Sequence, residues 1–457
     1  MALELSNYRY DFLGRFYKLA LVNIVSNVLI PISSLISVTF LGHLESINVL
    51  TGVSIVNILF GFIYFIFEFL RMSTTGLTAQ AVGADDHEQT LLIGLRNGLV
   101  ALVLGLLLLA CQYPLREIGF WLLNIYPEVK AAGLSYFNAR IWGAPAVLVN
   151  FVLFGWLLGR EKNSQVLLLS ILSNITIVLC DYLLVIRLGW GGKGAGTSQV
   201  IGQYLILLIG FIFAAWGVTG TTLKAVFPRL LNLGELKKNL ALNRDLLIRT
   251  TTEIIVFTIL GKLNTMMGAI TFTQNSLIGQ IGILNVYLTG GMGFATETLA
   301  GSFQGNGTQN RFPALLKVSV LSSIILTLTI ASICALFPER IFSLLTNHTE
   351  LTGTIKAYDW WLMFILPFTG TCSMIEGFFL GLAQGKIVRN VSVVSALFGF
   401  LPVASLFLFV YRSNHVFWFS TLMFRVVKMV ALIIYLIVLQ EEDGHINIRT
   451  TVTVEDI

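Results

Sequence analysis

The sequence predicts an all-α integral membrane protein whose twelve transmembrane helices form two pseudo-symmetric lobes of six. Three observations carry this. Hydrophobic residues make up 56% of the 457 positions and charged residues 12%, against about 25% charged in soluble domains. Twelve apolar stretches are long enough to cross a hydrocarbon layer of about 30 Å, which takes about 20 helical residues, and none alternates like a barrel strand. Finally, residues recur at an offset of 222: Gly155 and Gly377, Gly159 and Gly381, Pro145 and Pro367, Gly83 and Gly305.

The stretches run approximately over 16–41, 49–82, 88–112, 129–159, 164–187, 194–218, 246–272, 275–305, 314–337, 352–383, 387–411 and 415–440. Several exceed the spanning minimum, which predicts tilt or kinking. Pro31, Pro145, Pro367 and Pro402 lie inside spans, and each removes a backbone hydrogen bond and kinks its helix. Gly155/Gly159, Gly377/Gly381 and Gly301/Gly305 are GxxxG pairs, with Ala79/Gly83 the small-residue equivalent; such pairs let helix backbones approach closely in lipid. The segments 112–128 and 337–349 each carry a proline near their start and apolar residues at helical spacing, the pattern of a short interfacial helix.

These elements divide the chain into a first lobe (1–218), a polar connector (219–245), a second lobe (246–440) and a polar tail (441–457). Six spans per lobe give both repeats the same orientation, related by an axis along the membrane normal. That architecture points to a secondary transporter, which moves solute by rocking one half against the other.

The net charge of +5 is topology rather than nucleic-acid affinity. With both termini on one side, 16 Lys and Arg flank that side and 7 the other; the segment 219–249 alone holds Lys224, Arg229, Lys237, Lys238, Arg244 and Arg249. The positive-inside rule then places both termini and the connector in the cytoplasm. Glu4, Arg9, Asp11 and Arg15 precede the first apolar run, so no cleavable signal peptide is predicted, and a bacterial inner membrane is the expected location. The four cysteines are scattered through apolar stretches without CxxC spacing, and the five histidines (His43, His87, His348, His415, His445) show no ligand spacing. No metal, no cofactor and no enzyme activity are expected, and the chain is read as a monomer.

Several segments resemble the multidrug and toxic compound extrusion (MATE) transporters, in their DinF-like branch. They are LRMSTTGLTAQ (70–80) with AVGAD (81–85), FLGHL (40–44), RIWGAPA (140–146), GWLLGR (155–160), CDYLL (180–184) with LGWGGKGA (188–195), GFATETLAG (293–301) and EGFFLG (376–381). The resemblance covers nearly the whole chain in order. It implies the MATE fold, two six-helix bundles facing a central cleft, and export of drugs or metabolites driven by proton or sodium entry. The substrate it implies is a small organic molecule, cationic, zwitterionic or amphipathic. A flippase for a lipid-linked precursor in the same superfamily is the alternative, although such proteins usually show a cationic cleft and extra spans. A membrane enzyme would need a metal-binding Asp cluster or a Ser–His arrangement.

Ionisable groups inside spans are costly and are functional candidates by default. Asp181 matches the acidic residue that the family uses in its first-lobe cation or proton site, and a carboxylate in apolar surroundings is driven towards its protonated form. Around it the chain departs from the family: Ser37 stands where an Asp is usual, Ile177 where an Asn is common and Gln199 where a Thr is expected. Ser37, Asp181 and Gln199 offer few oxygens for Na⁺, so the coupling ion expected is H⁺. In the second lobe Glu253 resembles the span-7 glutamate of the NorM-like branch, and Glu376 sits at a usual acidic position. Two carboxylates brought together repel and favour a shared proton; the plainer reading of Glu253 is a pair with Arg249 one turn away. Glu68, Glu297, Asn150, Tyr64 and Tyr287 complete the expected cleft, alongside Ser37 and Gln199. Arg71, Arg140, Lys262 and Arg425 are read as structural counter-ions, Arg71 as a local partner of Glu68.

Overall fold

The computed structural model describes residues 10–42, 47–122, 127–216, 225–230, 232–344 and 355–443. The tail beyond 443, connector residues 217–224 and 231, the stretches 123–126 and 345–354, and with them His43, Lys224, His348 and His445, lie outside the described residues. Among those described, the chain is helical and has no strand. In chain order the helices are α1 (Leu13–Gly42), α2 (Ile47–Ile66), α3 (Phe69–Gly83), α4 (His87–Ala110), α5 (Gln112–Leu122), α6 (Pro127–Arg140), α7 (Ala144–Gly159), α8 (Asn163–Asp181) and α9 (Gly191–Ala215). They continue with α10 (Leu233–Thr265), α11 (Ala269–Gly305), α12 (Phe312–Leu336), α13 (Pro338–Ser343), α14 (Leu362–Gly381), α15 (Gly385–Val394), α16 (Leu401–Phe409) and α17 (Asn414–Asp443).

Ten helical stretches of the described residues are long and apolar enough to cross a membrane, α2 and α3 counting as one through Asn48–Gly83. The remaining two of the twelve predicted spans are α1, of 30 residues, and α10, of 33. The outer helices are short: α5 covers the first part of 112–128, and α13 is a six-residue turn of helix.

The prolines divide into two groups. Pro31 and Pro367 lie within α1 and α14. Pro145 and Pro402 lie inside the continuous helical stretches Val129–Gly159 and Gly385–Phe409, directly after the 3₁₀ turn Ile141–Gly143 and the π turn Ser395–Phe400. At both the regular α ladder is interrupted just before the proline, a local adjustment of the kind that accompanies helix kinks. Span 2 is broken without proline: Phe67 and Glu68 form a turn between α2 and α3, with Glu68 N bonding Phe65 O at 3.2 Å.

Two compact units are present, Val25–Asn243 and the described residues of Met1–Ile24 with Arg244–Ile457. The first turns of α1 are thus grouped with the second half of the chain, where the Phe12 ring lies 5.5 Å from that of Phe303 and Asp11 pairs with Arg311 at 2.8 Å. In the first unit α7 packs on α3 and α4, and α9 packs on α6 and α8; in the second, α14 packs on α11, α12 and α17.

The repeated glycines sit at matching seams. A Cβ on Gly155 would lie 2.5 Å from the carbonyl oxygen of Arg71, and one on Gly377 would lie 2.5 Å from that of Gly293. Gly159 likewise abuts the Thr75 carbonyl, and Gly381 that of Glu297. Arg71 and Gly293, like Thr75 and Glu297, are themselves 222 apart. The repeat therefore holds for contacts as well as for residue identities, and each lobe is closed by the same backbone-on-backbone approach that only glycine permits.

Candidate functional site

In the first unit Asp181 ends α8, where the helix passes into the π turn Tyr182–Arg187, an insertion often found at functional positions. Asp181 is 1% exposed. It accepts a hydrogen bond from the Ser37 hydroxyl of α1, and the buried Ser198 of α9, which donates to Gly194 O at 3.0 Å, faces the same carboxylate. Beside them lies a cavity of about 30 Å³ whose polar lining is Ser37, Ser54, Asn57, Tyr136 and Gln199. That is room for about one water-sized group. Ser37 thus touches Asp181, and Gln199 lines the same cavity as Ser37.

Arg140, at the end of α6, donates to the Tyr136 hydroxyl at 2.6 Å and to Asn57 Oδ1. Its guanidinium also sits 4.7 Å from the Phe60 ring centroid and 5.9 Å from that of Tyr64. Among the described residues it is held by neutral acceptors and aromatic faces and not by a carboxylate, which differs from the counter-ion expected. An aromatic face attracts a guanidinium without a formal negative charge. Tyr64 packs in this aromatic group, 5.5 Å from Phe60.

The other expected cleft residues are spread out. Glu68 pairs with Arg71 at the break in span 2, as the three-residue spacing suggests. Asn150 is 2% exposed and donates to Gln203 O at 2.9 Å and Gln203 Oε1 at 3.0 Å, tying α7 to α9. Glu297 is fully buried in α11, and Tyr287 is half-buried on the same helix. Lys262 is exposed near the end of α10, and Arg425 stacks 5.2 Å from the Phe424 centroid. Among the described residues, neither forms an ion pair.

The second unit brings Glu253 and Glu376 together but not alone. Lys428 Nζ lies 2.5 Å from Glu253 Oε1 and 2.7 Å from Glu376 Oε1. Arg249 Nη2 lies 3.0 Å from Glu376 Oε2 and 3.4 Å from Glu253 Oε1. All four side chains are at most 10% exposed. Each carboxylate therefore faces both bases and not only the other acid, an arrangement the sequence expectation of an isolated carboxylate pair did not include. Burying such a group is tolerable because each charge has a partner, and removing one partner would leave a charge uncompensated.

Asn57, Tyr136 and Ser198 near Asp181 are ordinary small or aromatic residues on apolar helices and carry no signal in the sequence. Lys428 is a base within an apolar stretch, but its partners, 175 residues away for Glu253, cannot be assigned from sequence.

Comparison with known proteins agrees with this architecture. A family model described as MatE matches residues 23–183 and 247–404. The chain is 29% identical over 422 residues to DNA damage-inducible protein F of Escherichia coli (strain K12), covering 91% of this chain and 90% of that one. It is 21% identical over 362 residues to a probable multidrug resistance protein NorM of Thermotoga maritima, covering 74% and 73%. In structure it is similar to the Vibrio cholerae MATE transporter VcmN, with a TM-score of 0.85 at 14% identity, covering 96% of this chain and 99% of that one.

Proposed function

This chain belongs to the MatE family, and we propose that it is a proton-coupled exporter of small organic molecules working by alternating-access antiport. It is a multi-pass membrane protein; we place it in the inner membrane with both termini cytoplasmic, acting as a monomer and carrying out no enzymatic chemistry. The observation that carries the reading is Asp181, 1% exposed, hydrogen-bonded to Ser37 across two helices and next to a cavity the size of a water molecule. The Ser37 hydroxyl donates its hydrogen to the carboxylate, so the acid has a partner without a metal ion, an arrangement that favours a proton over a sodium ion in this reading.

Protonation would change what Asp181 can do for its neighbours. As a carboxylate it only accepts, and so holds the Ser37 hydroxyl. As an acid it carries a proton and can donate, and the Ser37 bond falls from a charge-assisted one to a weaker neutral one, which loosens the tie to α1. Because Asp181 also ends α8 at a π turn, the two helices are linked at a point where the helical ladder is already interrupted. The proposed cycle takes a proton onto Asp181 from outside, releases substrate there, and returns the proton to the cytoplasm. The substrates proposed are cationic, zwitterionic or amphipathic small molecules; the name of the multidrug resistance relative supports drug export and no finer class.

The test is transport in proteoliposomes under an imposed pH gradient or an imposed Na⁺ gradient. The pH gradient alone is expected to drive uptake of a fluorescent organic cation. Uptake that follows only the Na⁺ gradient overturns the proposal.

A further inference from the structure

The hairpin of α8 and α9 carries two cations at its tip and no acid to balance them. Between Asp181 and Glu235 the sequence holds no Asp or Glu, and Asp181 itself is buried, with Ser37 bonded to it. Arg187 closes the π turn after α8, and Lys193 lies in the first turn of α9. Both are exposed, and among the described residues neither forms an ion pair. Arg187 donates instead to the Tyr182 hydroxyl at 2.9 Å, and Lys193 Nζ lies 5.5 Å from the Trp190 ring centroid. Arg116 and Lys130, on the same side of the first unit by the topology above, both reach Glu117.

The backbone sets the two cations at one end of the hairpin. Gly189 and Gly191 take the left-handed region, at φ 64° and 51°, which glycine enters without steric cost. Trp190 N bonds back to Leu184 O at 2.9 Å, so the turn is short. Below it the hairpin is apolar and uncovered: Leu179 and Leu183 on one arm, and Ile201, Tyr204 and Leu208 on the other, are exposed. Lys193 precedes Ile201, Tyr204 and Leu208 at helical spacing and so heads the same face of α9. Trp190 and Tyr182 stand where the apolar face meets the basic tip, the level that aromatic rings favour at a membrane surface.

A face that is apolar along its length and basic at its end has the polarity of a phospholipid, acyl chain below and phosphate above. Arginine suits the phosphate because its guanidinium donates to two oxygens at once. Cations are disfavoured on the outer side, so an unbalanced pair on one hairpin calls for an anion from outside the chain. We propose that Arg187 and Lys193 hold the phosphate of an anionic phospholipid in the outer leaflet, its acyl chain lying along the exposed face of α8 and α9. The lipid then braces the π turn that follows Asp181. A headgroup whose phosphate is already matched by its own ammonium, as in phosphatidylcholine, gains less from the two cations. The leaflet follows from the topology proposed above, whereas the seat does not depend on transport.

The experiment is native mass spectrometry of the delipidated full chain in detergent, titrated with phosphatidylglycerol, phosphatidylcholine or inorganic phosphate, with the thermal unfolding midpoint as a second readout. The wild type is expected to retain one more phosphatidylglycerol than R187Q/K193Q and to prefer it to phosphatidylcholine several-fold. R187K/K193R, which keeps both charges, is expected to bind as the wild type. R116Q, which removes a cation already paired with Glu117, is expected to leave the lipid in place. Equal phosphatidylglycerol binding by the wild type and R187Q/K193Q overturns the proposal, as does phosphatidylcholine held equally well. Inorganic phosphate that raises the midpoint as much as the lipid does also overturns it, by making the tip a site for a free anion. Should R187Q/K193Q not fold, K193Q decides: weaker phosphatidylglycerol binding supports the lipid seat, and unchanged binding contradicts it.

Discussion

Lys428 and Glu253 are 175 residues apart in sequence, and their charged atoms are 2.5 Å apart in space. That single contact ties α17 to α10, and through Glu376 the same ammonium reaches α14. Breaking a buried pair from one side leaves a bare charge, which costs about 3–5 kcal/mol. In a Na⁺-free buffer, Glu253→Gln and Lys428→Met should each lower the thermal unfolding midpoint. The double substitution should cost less than the sum of the singles, because it removes one acid with one base. A double-mutant cycle with additive losses would argue that the two side chains do not interact.

The glycine seams make a second prediction. Gly155→Ala and Gly377→Ala each push a methyl group against a backbone carbonyl, at 2.5 Å in both cases, and overpacking of this kind costs about 1–3 kcal/mol. The two should be destabilising to a similar degree in thermal unfolding. Gly61→Ala is the control, since no atom lies within 4 Å of a Cβ there; it should be neutral or slightly stabilising. Unequal losses at 155 and 377 would count against equivalent packing in the two lobes.

The seams also show how much of the fold was legible in the sequence. The pairs at an offset of 222 gave the lobes and their internal packing, because a close backbone approach demands glycine and leaves a mark in the chain. Span count followed from apolar length. Pro145 and Pro402 lie within helices, but the 3₁₀ and π turns just before them are adjustments of the ladder that a proline's position alone does not specify. At the site, Asp181 stood out as an acid among apolar residues, and Ser37 as its neighbour by resemblance. Asn57 and Tyr136 did not, since neither type is unusual in a membrane helix. The balance of charge around Glu253 and Glu376 was hidden for a different reason. Intramembrane bases could be counted, but the pairing of Lys428 with acids on two other helices is a product of tertiary packing alone.

The connector offers a third prediction. Arg96, 3% exposed on α4, donates to the backbone carbonyls of Arg229 at 2.7 Å and Leu230 at 3.2 Å. Hydrogen bonds from a charged donor are worth about 1.5–3 kcal/mol, so Arg96→Met should loosen this end of the connector. In inside-out vesicles, tryptic cleavage near Arg229 is expected to speed up by roughly tenfold or more, as about 1.4 kcal/mol corresponds to a factor of ten. Unchanged cleavage would show that other contacts hold the segment.

Arg140 supports a fourth. Its bonds to Tyr136 and Asn57 both leave Nη1, while its stacking on Phe60 uses the planar face of the guanidinium. Arg140→Lys keeps the charge but loses that planar stacking, and should raise KM for organic cations several-fold while leaving their ion dependence unchanged. A variant with wild-type KM would remove Arg140 from the transport path.

The most direct test of the account is proton movement on addition of substrate. Proteoliposomes loaded with a pH-sensitive dye are given an organic cation, with no Na⁺ present, and lumenal pH is followed for the wild type, Asp181→Asn, and Glu253→Gln/Lys428→Met. The account predicts a substrate-dependent proton flux in the wild type, none in Asp181→Asn although that variant still folds, and a retained flux in the charge-balanced double variant. A proton flux that survives Asp181→Asn and vanishes in the double variant would contradict it, placing the coupling at the glutamates of the second half.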